Sequence, residues 1–202
     1  MSGDGFVFDA PAHLQWLPLP LDGDVDQGAA ALVQRVAGHS ASADFLSTTT
    51  AWVAGTTRVV RREVRRVREE LLRPTFAAWV LLPEPDLMLP GPVAFLRAGP
   101  LGPDDGEDAA LGSVVDLSVE LHGQLEVEPL DTASGPALLV RRRPVRTVDG
   151  DRLVEEQRLV LWPRPDLEVV VHLSLYVVDL VEGGRAATPL RELGASLRWE
   201  LV

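Results

Sequence analysis

The 202-residue chain contains no cysteine. That excludes a disulfide framework, a thiolate metal site and a cysteine nucleophile. It contains no lysine either, and all 19 basic residues are arginine. Schiff-base and P-loop lysine chemistry are therefore excluded. No single arginine can be read as chosen over lysine for bidentate recognition. Long apolar runs are missing too. The longest, Val169 to Val178, is interrupted by His172 and Ser174 and is too short to span a bilayer. The first twenty residues lack a basic segment followed by an apolar one, so no secretory signal is expected. GxSxG, GxGxxG, GxxxxGK and HExxH patterns are all absent. The expectation is a cytoplasmic protein that makes no use of a membrane.

What is present reads as an ordinary globular composition, 46% hydrophobic and 24% charged. No linker and no internal repeat divides the chain, so residues 1–202 are expected to form one domain. The formal net charge of -11 argues against a nucleic-acid partner, because phosphate binding rests on basic surface.

The segment Arg152 to Gly184 organises the rest. Two apolar runs flank Pro163, Pro165 and Asp166, which carry turn chemistry. Along the second run Val169, Val171, Leu173, Leu175 and Val177 share one side. Glu168, Val170, His172, Ser174 and Tyr176 share the other, which a period of two makes the wetter face. Phe6 to Leu21 reads as extended, with Pro18 and Pro20 at an edge. Asp26 is the expected N-cap of a short helix closed by Gly38. A long helix follows on Leu46, Val53, Val60, Val64, Val67 and Leu71, beginning near Ser42 or after Gly55, and Pro74 stops it. Phe76 to Leu82 reads as a central strand and Pro92 to Ala98 as another. Residues 108–122 fit a strand or a helix equally. Leu125 to Pro129 is extended, and Gly135 begins a strand that runs to Val148 with an irregularity at Pro144. Asp149-Gly150-Asp151 is a hairpin turn. Thr188 and Pro189 are expected to start a terminal helix on Leu190, Leu193 and Leu197. This order predicts an α+β fold, an antiparallel β-sheet flanked by helices.

Four features together resemble the PsbP-like fold: the opening extended segment with Pro11 and Trp16, the Ser134-Gly135-Pro136-Ala137 lead-in to a strand, the long hairpin ending at Val178, and the terminal helix Pro189 to Arg198. That α/β/α sandwich is shared by the extrinsic photosystem protein, DcrB-type bacterial proteins and a Ran-binding nuclear transport factor. The resemblance implies a non-enzymatic binding, assembly or chaperone-like role and no particular residue.

Candidate chemistry is sparse. Asp22, Asp24 and Asp26 begin like an EF-hand loop, but Gly28 falls one place late and Val33 stands where the bidentate Glu should be. No metal and no cofactor is expected. Arg58 to Arg73 carries seven Arg and three Glu, a local +4 against -15 on the remainder. Arg58, Arg61, Arg62 and Arg65 could therefore face an acidic protein partner, or simply lie in solvent. His172 and Tyr176, on one strand face, mark the place for a polar pocket. Two readings follow. One is a non-enzymatic protein-binding or assembly factor. The alternative is a small-ligand binder or enzyme with its pocket at His172 and Tyr176.

Overall fold

The computed structural model describes residues 6–10, 15–37, 42–71, 74–82 and 91–201. It is built on a seven-stranded antiparallel sheet with helices on both faces. The central strand is β10 (Val169–Val177), hydrogen-bonded to β9 (Glu156–Arg164) on one side and β4 (Val93–Pro100) on the other. Beyond β9 lie β6 (Gly135–Arg142) and the edge strand β5 (Glu126–Thr132). Beyond β4 lie β3 (Thr75–Leu81) and the three-residue edge β2 (Trp16–Pro18). The Phe76 to Leu82 run is thus buried on both faces but one place from an edge, not central.

The anticipated hairpin forms, joined by a 3-10 turn at Pro165–Leu167. One face of β10 is dry as expected: Val171, Leu173 and Leu175 pack with Trp79, Leu96 and Trp162. Helices α4 (Leu180–Arg185) and α5 (Ala187–Ser196) follow, and α5 lays Leu190 and Leu193 on that face. The other face of β10 is not wet. Val170, His172 and Ser174 are buried, because a second helical layer covers them. That layer contains α1 (Val25–Val36) and α2 (Ala43–Leu71) over β2, β3 and β4, and α3 (Glu107–Val114) over β6, β9 and β10.

Boundaries differ from expectation where a local cap decides. Asp24, not Asp26, caps α1, accepting from the Gln27 N–H at 2.8 Å. Of the two starting points for the long helix, the earlier holds: the Ser42 hydroxyl accepts from the Phe45 N–H at 3.2 Å. Of the two readings of 108–122, the helix holds for its first half, and the rest is turn. The last helix begins at Ala187, not at Thr188–Pro189. It stops at Ser196, where Leu197 turns extended and β11 (Arg198–Leu201) begins. β11 pairs with β1 (Phe6–Asp9). Pro11, Gly38 and the prolines at 83, 85 and 90 lie outside the described residues.

The site depends on the break at Pro144. Proline brings no N–H to a ladder. Pairing of β6 with β9 accordingly ends at Arg142 opposite Gln157, and the chain leaves the sheet. It forms a separate ribbon of β7 (Val145–Val148) and β8 (Asp151–Val154). Asp149 and Gly150 both take positive φ, 52° and 91°, as the two-residue turn between these strands requires.

A cleft floored by Arg142, Gln157 and Tyr176

The displaced ribbon and the segment after α3 enclose a cleft of about 560 Å³ against the end of the sheet. Three side chains form its floor in one cross-strand row. Arg142 of β6 faces Gln157 of β9, which faces Tyr176 of β10. All three point to the α3 face, since they keep step with Val140, Leu159 and Val170 in the core under that helix. Val114, Val115 and Val119 form one wall, and Pro144, Val145 and Thr147 the other.

The walls are tied together by the backbone. The His122 N–H donates to the Arg143 carbonyl and the Val145 N–H to the Glu120 carbonyl, each at 2.8 Å. Arg142 adds a latch, donating from Nη1 to the Asp116 carbonyl at 2.7 Å. Its residue is only 4% exposed, and its Nε–H has no hydrogen-bond partner. Burial pulls the Arg142 guanidinium below its ordinary value, while Tyr176 and Asp116 work against that fall. Gln157 is 3% exposed, yet among the described residues its amide makes no side-chain hydrogen bond. Tyr176 is 38% exposed at the rim, and its hydroxyl likewise has no hydrogen bond among them. Asp116 is the single carboxylate of the lining. It is already engaged by the Ser118 N–H and hydroxyl at 2.9 and 2.6 Å, which hold it below the usual carboxylate range.

The two residues of the anticipated pocket, His172 and Tyr176, are placed apart. Tyr176 lines the cleft. His172 shares its face but lies two rows along, between Leu161 and Arg97, and is 2% exposed beneath the helical layer. Arg142 and Gln157 were not singled out from sequence. The only signal was Pro144, which marks where β6 must leave the sheet.

The arginines of α2 are largely used within the molecule. Arg58 pairs with Asp26 through both carboxylate oxygens, at 2.6 and 2.7 Å. Arg61 donates to the carbonyls of Pro20, Asp22 and Gly23 at 2.6 to 3.1 Å. Arg62 and Arg65 are exposed and make no ion pair or hydrogen bond among the described residues. The three aspartates that open the EF-hand-like pattern are also taken up, as a loop carbonyl under Arg61, the cap of α1 and the partner of Arg58. Among the described residues no group of three or more His, Cys, Asp or Glu could hold a metal ion, and no helix is long and apolar enough to cross a membrane.

A second hollow of about 390 Å³ lies on the opposite face, against β5, and includes Arg141 and Arg158. Its arginines are committed. Arg141, Arg143 and Arg158 all converge on Glu156, at 3.3, 3.1 and 2.5 Å, and Arg141 also meets Glu126 at 3.2 Å. Glu156 is fully buried. Burial alone would raise its pKa, but the three guanidinium groups together hold it below the usual carboxylate range.

Comparison with family models, with curated proteins and with solved structures finds no match for this chain. The cleft floored by Arg142, Gln157 and Tyr176 is therefore the candidate site on its own geometry.

Proposed function

We propose that this chain is a non-enzymatic binding protein that takes a small ligand in the cleft between α3 and the β7–β8 ribbon. The observation that carries the reading is Gln157. Its residue is almost buried and its amide makes no hydrogen bond among the described residues, so its remaining exposure opens on the cleft, where a ligand group can complete it. The cleft also has the size usual for small-molecule sites, and it combines apolar walls with a few polar groups. The converging groups are donors that bind and orient. Asp116 is occupied by Ser118, and the lining offers no nucleophile hydrogen-bonded to a base. The PsbP-like resemblance implies the same class, binding rather than catalysis.

A docking role for α2 with an acidic partner is the lesser reading. Two of its four candidate arginines, Arg58 and Arg61, are spent inside the molecule. Arg62 and Arg65 remain for it.

The test is a screen of small fragments, unbiased in charge, followed by protein-observed NMR. Hits should shift the amides of Asp116, Val145, Gln157 and Tyr176, and Thr147→Trp, which fills the cleft from its rim, should abolish them. Hits scattered over the surface, or indifferent to Thr147→Trp, would remove the reading.

A further inference from the structure

We propose that the ligand of this cleft is a monocarboxylate with a short apolar body, its carboxylate held by the Arg142–Gln157–Tyr176 row. This rests on the cleft being a ligand site and adds the chemistry of what enters it.

The floor is a row of hydrogen-bond donors with protons to spare. The Arg142 guanidinium gives its Nη1–H to the Asp116 carbonyl, while its Nη2 has no hydrogen bond among the described residues. The Gln157 amide and the Tyr176 hydroxyl complete the row, and neither has a side-chain hydrogen bond among the described residues. Neighbouring strands stand about 4.8 Å apart, so the three side chains span roughly 10 Å across the floor. A carboxylate at the middle of that span meets a guanidinium on one side, a hydroxyl on the other and an amide beneath.

Charge selects the sign. Arg142 is the buried cation of the lining and bonds the Asp116 carbonyl rather than a carboxylate, while Arg146 is exposed and paired with Glu155 at 3.2 Å. A buried guanidinium bonded to no carboxylate suits a single anion. The walls select the rest. Val114, Val115, Val119 and Val145 offer an apolar surface to whatever the anion is attached to. A phosphate would ask for more cations or a nest of backbone N–H groups. The backbone N–H of Val145 in the wall is already spent on the Glu120 carbonyl.

The experiment titrates the full chain with phenylacetate and hexanoate, with phenylacetamide and hexanamide as neutral isosteres, and with inorganic phosphate. Binding is followed by the NMR shifts of Gln157 and Tyr176. Both carboxylates should saturate those shifts and bind at least tenfold more tightly than their amides or phosphate. Tyr176→Phe should weaken carboxylate binding about tenfold and leave the amides unchanged. It removes a hydroxyl that holds nothing in the fold, so the variant stays folded. Gln157→Leu and Arg142→Gln should weaken it further. If the amides bind as tightly as the carboxylates, the cleft stands as a site and the carboxylate assignment falls. The same follows if phosphate binds more tightly than either acid. If Tyr176→Phe and Gln157→Leu both leave carboxylate affinity unchanged, the assignment to this row is overturned.

Discussion

Gly183 of α4 lies directly on Glu156. A Cβ at Gly183 would stand 3.1 Å from both the Cβ and the Cδ of that carboxylate side chain. The close approach lets α4 seal a fully buried charge against three arginines. Gly183→Ala should force the two apart and lower stability by roughly 1–3 kcal/mol, as overpacking does. Urea denaturation measures this. A loss below about 0.5 kcal/mol would show that Glu156 yields without cost.

Removing the charge itself should be more damaging. Glu156→Gln leaves Arg141, Arg143 and Arg158 together without their common anion, and breaking a buried pair costs on the order of 3–5 kcal/mol. The pH dependence follows from the sign. The folded carboxyl sits below its unfolded value, so its contribution is fully present above about pH 4.3 and is lost as pH falls through the folded pKa. Asp116, Asp166 and Glu63 are also lowered and titrate in the same acid range. The difference between wild type and Glu156→Gln is therefore the quantity to follow. It should be widest near neutrality and shrink below about pH 4. A difference independent of pH would mean that the carboxylate charge contributes nothing.

Two glycines separate open space from close packing. Gly55 lies inside α2, and an added Cβ would meet nothing within 4 Å. Gly55→Ala should stabilise the chain by roughly 0.5–1 kcal/mol, the usual helix preference. Gly194 of α5 is the opposite case: a Cβ there would stand 2.7 Å from Cγ2 of Val160. Gly194→Ala should destabilise by about 1–3 kcal/mol. Melting temperatures that move the same way for both would contradict this packing.

Much of the architecture was legible because a period of two announces itself. Leu173 and its neighbours alternate without interruption, and Leu173→Ala should cost roughly 2–5 kcal/mol in the core where the alternation placed it. Calorimetry reads that value directly, and a cost under about 1 kcal/mol would indicate a different register. Less legible was that His172 and Ser174 would also be covered. Their polarity argued for water, but α2 and α3 come from distant sequence, and alternation within β10 carries no information about them. The turn at Asp149-Gly150 was readable; that β7 and β8 leave the main sheet was not, because it depends on Pro144 ending a ladder with β9. Tyr176 was found on its strand face. Arg142 and Gln157 became neighbours of it only through cross-strand register, which a single strand does not encode.

The arginines of α2 offer a contrast within one helix. Arg61 holds three loop carbonyls ahead of α1, so Arg61→Gln should loosen residues 20–24 and cost about 1–2 kcal/mol. Changing Arg62 and Arg65 to Gln should stay within about 0.5 kcal/mol, as exposed substitutions do. Amide hydrogen exchange across residues 20–28 distinguishes the outcomes. Equal protection in all three variants would assign Arg61 to solvent rather than to the loop.

The pairing of β1 with β11 has a consequence for synthesis. Phe6 is opposite Leu201 and Asp9 is opposite Arg198, so β1 leaves the ribosome long before the strand it pairs with. At about 5–20 residues per second, that wait is on the order of 10–40 s. Through it the nascent chain carries an unpaired strand edge with Val7 and Phe8 exposed beside it, the kind of edge a chaperone recognises or a second nascent chain captures.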